Sequence, residues 1–347
     1  MKTKSAFLSL IISLFAVVSP AQQGLVLVKP EGSKTWGFVN LKGEMVIPAT
    51  YRKVGEFTAD GLAPVFEVEY YFINSKGEKL ESEIKDFRLK NFMGFGIRGF
   101  NEGLAPIEVN KKWGYLNTSG KLVIPAKYDY VTAFKEGVAT AKVGSQWYIL
   151  DKQGKETEVN IPKLKNLRDF VNGYAIFDNL DKKFGFINTK GEVVIEPKFT
   201  SVGDFHAGLA WAKNEQKLSG YINTKGEWVI EPTYNATHDF DEKSGMAMVK
   251  VVNEWFYINK AGVALKLDFD KIDDFHNGIA IARKNEKIGF IDNTGKWSIE
   301  PQFEAARDFE NGHAAVKSNG KWGIIKTNGE WVIQPVYDAI RDVVLIK

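Results

Sequence analysis

The chain contains no cysteine. It therefore has no disulfides, no thiolate nucleophile and no cysteine-based metal centre. Histidine is scarce, with four residues in all, and none stands in a His-Glu-x-x-His arrangement. A Gly-x-Ser-x-Gly elbow and a phosphate loop are also missing, so no common nucleophile or nucleotide motif is present. Charge has no surplus of either sign: 46 Lys and Arg stand against 43 Asp and Glu, and the two signs are interspersed. Without a basic cluster there is no electrostatic case for nucleic acid. After residue 21 no apolar run reaches the ~20 residues that a membrane-spanning helix needs.

The apolar run that does exist lies at the start. Lys2 and Lys4 precede a mostly apolar stretch from Ala6 to Val18, and Ser19-Pro20-Ala21 supplies small residues for cleavage. Residues 1–21 read as a signal peptide, which implies export to the periplasm or beyond. With no cysteine after the apolar stretch, a lipid anchor is not expected. No Pro-, Gly- or Ser-rich linker divides residues 22–347, which read as one domain.

What fills that domain is repetition. The stretch Phe184 to Lys213 recurs in near-copies, each with a glycine in a short polar loop between two β-branched or aromatic runs. That glycine is Gly43, Gly77, Gly120, Gly154, Gly191, Gly226, Gly262, Gly295 and Gly329, at intervals of 33 to 43 residues, which makes nine units. A second signature, Gly-x-Ala, starts at Gly61, Gly103, Gly137, Gly173, Gly208, Gly245, Gly278 and Gly312, with a phenylalanine just ahead of each. The runs predict three strands per unit: a hairpin pair and a third strand leading into the next unit. Pro197, which cannot donate a ladder hydrogen bond, is expected to end the second strand. Alternation in the third strand (Ala139, Ala141 and Val143 against Thr140 and Lys142) predicts one buried and one open face. The first strand, apolar on both sides at Trp36, Phe38, Val39 and Leu41, belongs in the middle of the sheet.

Trp36-Gly37, Trp113-Gly114 and Trp322-Gly323, with Phe184-Gly185 in the same slot, carry a resemblance. The chain resembles the WG-repeat family of bacterial proteins, whose units read roughly W-G-[FY]-[IV]-[ND]-x-x-G-x-x-[VI]-I-x-P-x-[YF]. Unit two departs with Tyr70-Tyr71, unit four with Trp147-Tyr148 and unit seven with Trp255-Phe256. The resemblance implies a non-catalytic repeat scaffold, often at the cell envelope, and supplies no catalytic residues and no cofactor. The repeat markers are then structural: Trp36, Gly43, Trp113, Gly120, Gly191, Gly226, Gly295, Trp322 and Gly329.

Two all-β architectures accept such units. A closed propeller usually has four to eight four-stranded blades, so nine three-stranded units favour an open, curved or superhelical array, with propeller-like closure as the alternative. Three sets of residues are candidates for chemistry. Asp169, Asp204, Asp239, Asp274 and Asp308 precede the turn phenylalanine in successive units. They read either as a catalytic or cation-binding column or, the favoured reading, as one turn device repeated, each carboxylate accepting a backbone N–H. His206, His238, His276 and His313 lack metal-ligand spacing and read as solvated turn residues. Trp228, Trp297 and Trp331 each follow a hairpin glycine by two residues; packing is the favoured role, and a ligand-facing row is the alternative. The expectation is an exported, non-catalytic scaffold that binds an envelope protein or glycan, without cofactor or metal. The rival is an envelope polysaccharide hydrolase or cation-binding protein built on the aspartates.

Overall fold

The computed structural model describes residues 23–89, 99–265, 267 and 269–346. The expected signal peptide and part of the irregular stretch around residues 79–99 lie outside the described residues.

Eight of the nine hairpins form where the sequence places Asn or Asp three residues before the glycine; the ninth has Lys326 there. The Asn40 side-chain oxygen accepts the N–H groups of Lys42 (2.9 Å) and Glu44 (3.0 Å). Its amide nitrogen donates to the Glu44 carboxylate at 2.7 Å. Asn188 and Asn223 build the same turn. The loop closes only if its last residue is left-handed, and Gly226 has φ +76°, a region that costs an L-residue with a Cβ.

The strands assemble as small antiparallel sheets, or blades. Blade six is typical, in the order Ser201–Val202, Ala210–Lys213, Ser219–Ile222, Trp228–Tyr234. The first-strand segment of the repeat lies between the third and second, as its two apolar faces require. The two-residue strand at one edge is additional to the three read from the sequence. The third strand is buried on both faces at its start: Thr140 is buried and its N–H donates to the Thr132 hydroxyl at 3.0 Å. Nine such sheets occur among the described residues, eight of four strands and one, blade two, of three.

Proline does not end the second strand. Val193–Phe199 runs through Pro197, and Met45–Tyr51 runs through Pro48. The register jumps instead: Trp36 pairs with Tyr51 but Phe38 with Ile47. Extra residues on the proline side make a bulge, where the missing N–H is tolerated. The glycine opposite has no room for a side chain. A Cβ on Gly37 would lie 2.6 Å from the Ile47 carbonyl oxygen and 2.7 Å from the Ala49 nitrogen. The chain carries its own control. Blade four has Tyr148 at this position and no proline, and its ladder is regular, Trp147 with Val159, Tyr148 with Glu158 and Ile149 with Thr157. Glycine and the proline bulge come and go together.

The ring is closed, so the propeller alternative is the form adopted and the open array is not. The last strand, Ala339–Ile346, has no place in blade nine and pairs antiparallel with Gln23–Lys29, completing blade one. Blade one therefore takes one strand from the C-terminal end and three from the N-terminal end. Its core confirms the seam: Val26, Val28 and Val39 pack in one buried cluster with Ala315, Ile324 and Ile333 of blade nine. Full burial of such side chains is worth ~1.5–3 kcal/mol each, and an open array would leave both end surfaces wet. The other cores likewise lie between blades, as where Phe186 and Ile195 of blade five meet Phe205 and Ala210 of blade six. The alanine of every Gly-x-Ala signature is 2% exposed or less.

Candidate functional site

The inner-edge strands, short in blade six but running Lys271–His276 in blade eight and Ala339–Ile346 in blade one, and the turns after them bring the candidate residues together. A cavity of about 510 Å³ is lined by His238 of blade seven, Asp274 and His276 of blade eight, Arg307 and Asp308 of blade nine, and Asp342 of blade one. Four consecutive blades can meet at one cavity only where they converge, so this edge of each sheet faces the ring axis. A neighbouring cavity of about 690 Å³ shares His238, Asp274 and His276 and adds His206 and Asp239. A third, of about 780 Å³, lies at blades four to six and includes Lys135, Lys142, Arg168 and Asp204.

The aspartates form a series of cross-blade pairs. His238 Nδ1 is 2.8 Å from both carboxylate oxygens of Asp274. His206 Nε2 lies 3.9 Å from Asp239 and His276 Nε2 3.7 Å from Asp308. Arg307 continues the series with a two-pronged contact to Asp342, Nε and Nη2 each donating at 2.7 Å. Arg341 stands 4.0 Å from Glu56. The imidazole or guanidinium comes each time from one blade and the carboxylate from the next. The partners of Asp239, Asp274 and Asp308 are thus imidazoles of the preceding blade, where the sequence suggested local backbone N–H groups. Three of the four histidines belong to these pairs. His313 is apart, its Nδ1 2.8 Å from the Asn311 carbonyl oxygen.

Burial decides the electrostatics. It pushes the carboxyl of Asp239 above the ordinary range; His206 opposes the shift, and the neighbouring Asp204 and Asp274 add to it. Asp204 and Asp308 are raised for the same reason, with Arg168 and His276 respectively as the main opposing charges. Glu56 is raised by burial and by Asp342. Among the described residues no group of three His, Asp or Glu side chains is placed to hold a metal ion.

The turns reinforce the axis. Asn311 and Gly312 are both left-handed, φ 51° and 76°, the conformation of a type I′ turn. The Asn311 amide donates across the seam to the Val343 carbonyl at 2.9 Å. Asn277 does the same to Phe309 at 2.9 Å and Asn172 to Phe205 at 2.8 Å. Tyrosines add a further tie between blades: Tyr221 Oη donates to the His238 carbonyl at 2.8 Å.

Trp228, Trp297 and Trp331 are half-buried and lie away from the axis, each against the blade before its own. Trp228 meets Phe199 edge-on with ring centres 5.5 Å apart, Trp297 meets Phe269 at 4.8 Å and Trp331 meets Phe303 at 6.1 Å. Trp36, Trp113 and Trp322 are half-buried too, on the strand that carries the buried Phe38, Tyr115 and Ile324. Lys135, Lys142 and Arg168 escaped the sequence reading; only the knowledge that blades four and five converge singles them out.

A closed ring of nine small antiparallel sheets defines the chain as a propeller-like repeat protein. A repeat profile described as WG containing repeat matches residues 36–67, 96–113, 113–147, 184–217, 220–255, 255–287, 288–322 and 322–344, and the chain belongs to that family. No curated protein matches it. Similar solved structures include the computationally designed Ika8 protein, at 10% identity and TM-score 0.43, covering 87% of this chain and 99% of that one. BamB from Moraxella catarrhalis is similar at 10% identity and TM-score 0.39, covering 79% of this chain and 91% of that one. Neither likeness bears on function. Among the described residues no helix is long and apolar enough to cross a membrane.

Proposed function

We propose that this chain is an exported, non-catalytic propeller that serves as a binding scaffold for a protein or glycan of the cell envelope. The observation that supports it most is the use made of the repeated carboxylates. Asp239, Asp274 and Asp308 each face an imidazole of the neighbouring blade, and Asp342 a guanidinium. A catalytic pair needs two groups in different roles, whereas these are copies of one contact that joins blades. What remains is a broad, polar, axial surface assembled from many turns, the kind of extended surface that repeat proteins offer to partners. The N-terminal segment, residues 1–21, supports export by its charge and apolar run.

The test is capture. The purified chain, immobilised and exposed to envelope extract, retains a specific component that an unfolded control does not. Retention of nothing specific contradicts the scaffold reading. Hydrolysis of a polysaccharide, lost on Asp239→Asn, would replace it with an enzyme.

A further inference from the structure

The axial lining is not uniform in charge. Around blades seven to one, the 510 Å³ cavity is lined by five carboxylates, Asp273, Asp274, Asp308, Glu310 and Asp342, with Arg307 already engaged by Asp342. Around blades four to six the balance reverses. There the 780 Å³ cavity has Lys135, Lys142 and Arg168 against Asp169 and Asp204. The reversal follows from the repeat. The position before the turn phenylalanine is acidic in blades five to nine, but it is Gly99 before Phe100 and Ala133 before Phe134. Two consecutive blades lack the carboxylate, and the cations gather next to that gap.

Two of these cations are held against aromatic rings. Lys142 Nζ stands 4.9 Å above the Trp147 ring, and the Arg168 guanidinium 5.6 Å above that of Phe184. A ring face steadies a cation while leaving its outward N–H donors for a ligand. Arg168 and Asn166 are exposed at the rim, and Lys135 and Lys142 are half-buried deeper in. The volume is that of a small-ligand site, and guanidinium is suited to two-pronged recognition of a carboxylate.

We propose that the cavity between blades four and six binds the carboxylate-bearing sugars of an acidic glycan, with Arg168 and Lys142 gripping the carboxylate. This rests on the scaffold reading and names the ligand class for one part of its surface. Asn166, whose amide nitrogen donates to Asp178 at 3.1 Å, keeps a second N–H and its carbonyl oxygen for sugar hydroxyls. The acidic sector across the axis repels the same ligand and so confines it to blades four to six.

The test titrates the full chain with a trimer of galacturonic acid, with the neutral galactose trimer and with a short poly-glutamate peptide, at physiological salt. The expected result is saturable binding of the uronate alone. Arg168→Ala and Lys142→Gln each weaken it about tenfold, the loss of one charge-assisted contact. Lys165→Ala, the same charge change at an exposed residue outside the cavity, leaves it unchanged. Melting curves of all variants exclude misfolding as the cause. Absence of uronate binding, equal binding of the neutral sugar, equal or tighter binding of the peptide, or insensitivity to both cavity variants overturns the proposal. Capture of an envelope component by the wild-type chain without uronate binding overturns this inference alone; failure of both removes the scaffold reading with it.

Discussion

Arg307 of blade nine holds Asp342 of the closing strand through two hydrogen bonds of 2.7 Å, so a side-chain pair anchors to blade nine the strand whose pairing with Gln23–Lys29 closes the ring. Both residues are partly exposed, and solvent screens the pair. Arg307→Ala is expected to cost about 1–2 kcal/mol, in the lower range for charge-assisted contacts. Asp342 is then left beside Glu56, which burial and the nearby Asp342 already raise. The double variant with Asp342→Asn should recover part of the loss. Chemical denaturation of the three variants measures it; additive losses would show that the pair is not coupled.

The aspartates make a prediction about pH. Burial raises Asp204, Asp239 and Asp308 above their ordinary value. The folded chain thus takes up protons before the unfolded chain does. Their contribution to stability is fully present below the unfolded value, near 3.9 for aspartate, and is lost as pH rises through the raised folded values. Asp239→Asn should flatten that part of the stability profile and leave stability at neutral pH equal or higher. A large loss at neutral pH would mean that the His206 contact outweighs burial.

The Trp-Gly glycine can be tested at Gly114. A Cβ there would lie 2.5 Å from the Ile124 carbonyl oxygen and 2.7 Å from the Ala126 nitrogen, and backbone on both sides cannot yield. Gly114→Ala should cost well over the ~1 kcal/mol by which Gly and Ala differ in ordinary strands or helices. A thermal melt close to that of the wild type would contradict the bulge geometry.

Trp228, Trp297 and Trp331 divide packing from binding. Removing a fully buried aromatic costs ~3–5 kcal/mol; half-buried against the preceding blade, each of these should cost about 2–3 kcal/mol on truncation to alanine, lowering the melting temperature by several degrees. If a variant melts like the wild type but loses a captured partner, the indoles form a ligand-facing row.

Much of this was legible in the sequence because it is local. The hairpin glycines, the central position of the Trp strand and the buried Gly-x-Ala alanines follow from periodicity and backbone preference. What was hidden depends on neighbours far along the chain. A strand of two residues such as Ser201–Val202 is too short to show alternation, so the fourth strand of blades such as blade six went unseen. Pro197 looked like a strand end because the bulge that accommodates it is a property of the pairing with Phe184 and Phe186. Closure was invisible because 339–346 reads as a trailing strand until Gln23–Lys29 offers it an edge. The His238–Asp274 contact joins residues of different blades, which no local motif records.

The axial series of contacts crosses the closure where Arg341 of the closing strand meets Glu56 of blade two, and that step requires the ring to be closed. The absence of native cysteine makes a direct measurement possible. Lys29 and Ala339 are paired across the closing strands, and a chain carrying Lys29→Cys and Ala339→Cys should form one intramolecular disulfide under mild oxidation. The account predicts a monomeric product without free thiol that melts higher than its reduced form, as a cross-link spanning nearly the whole chain should. Free thiols, or disulfide-linked dimers alone, would contradict the closed ring.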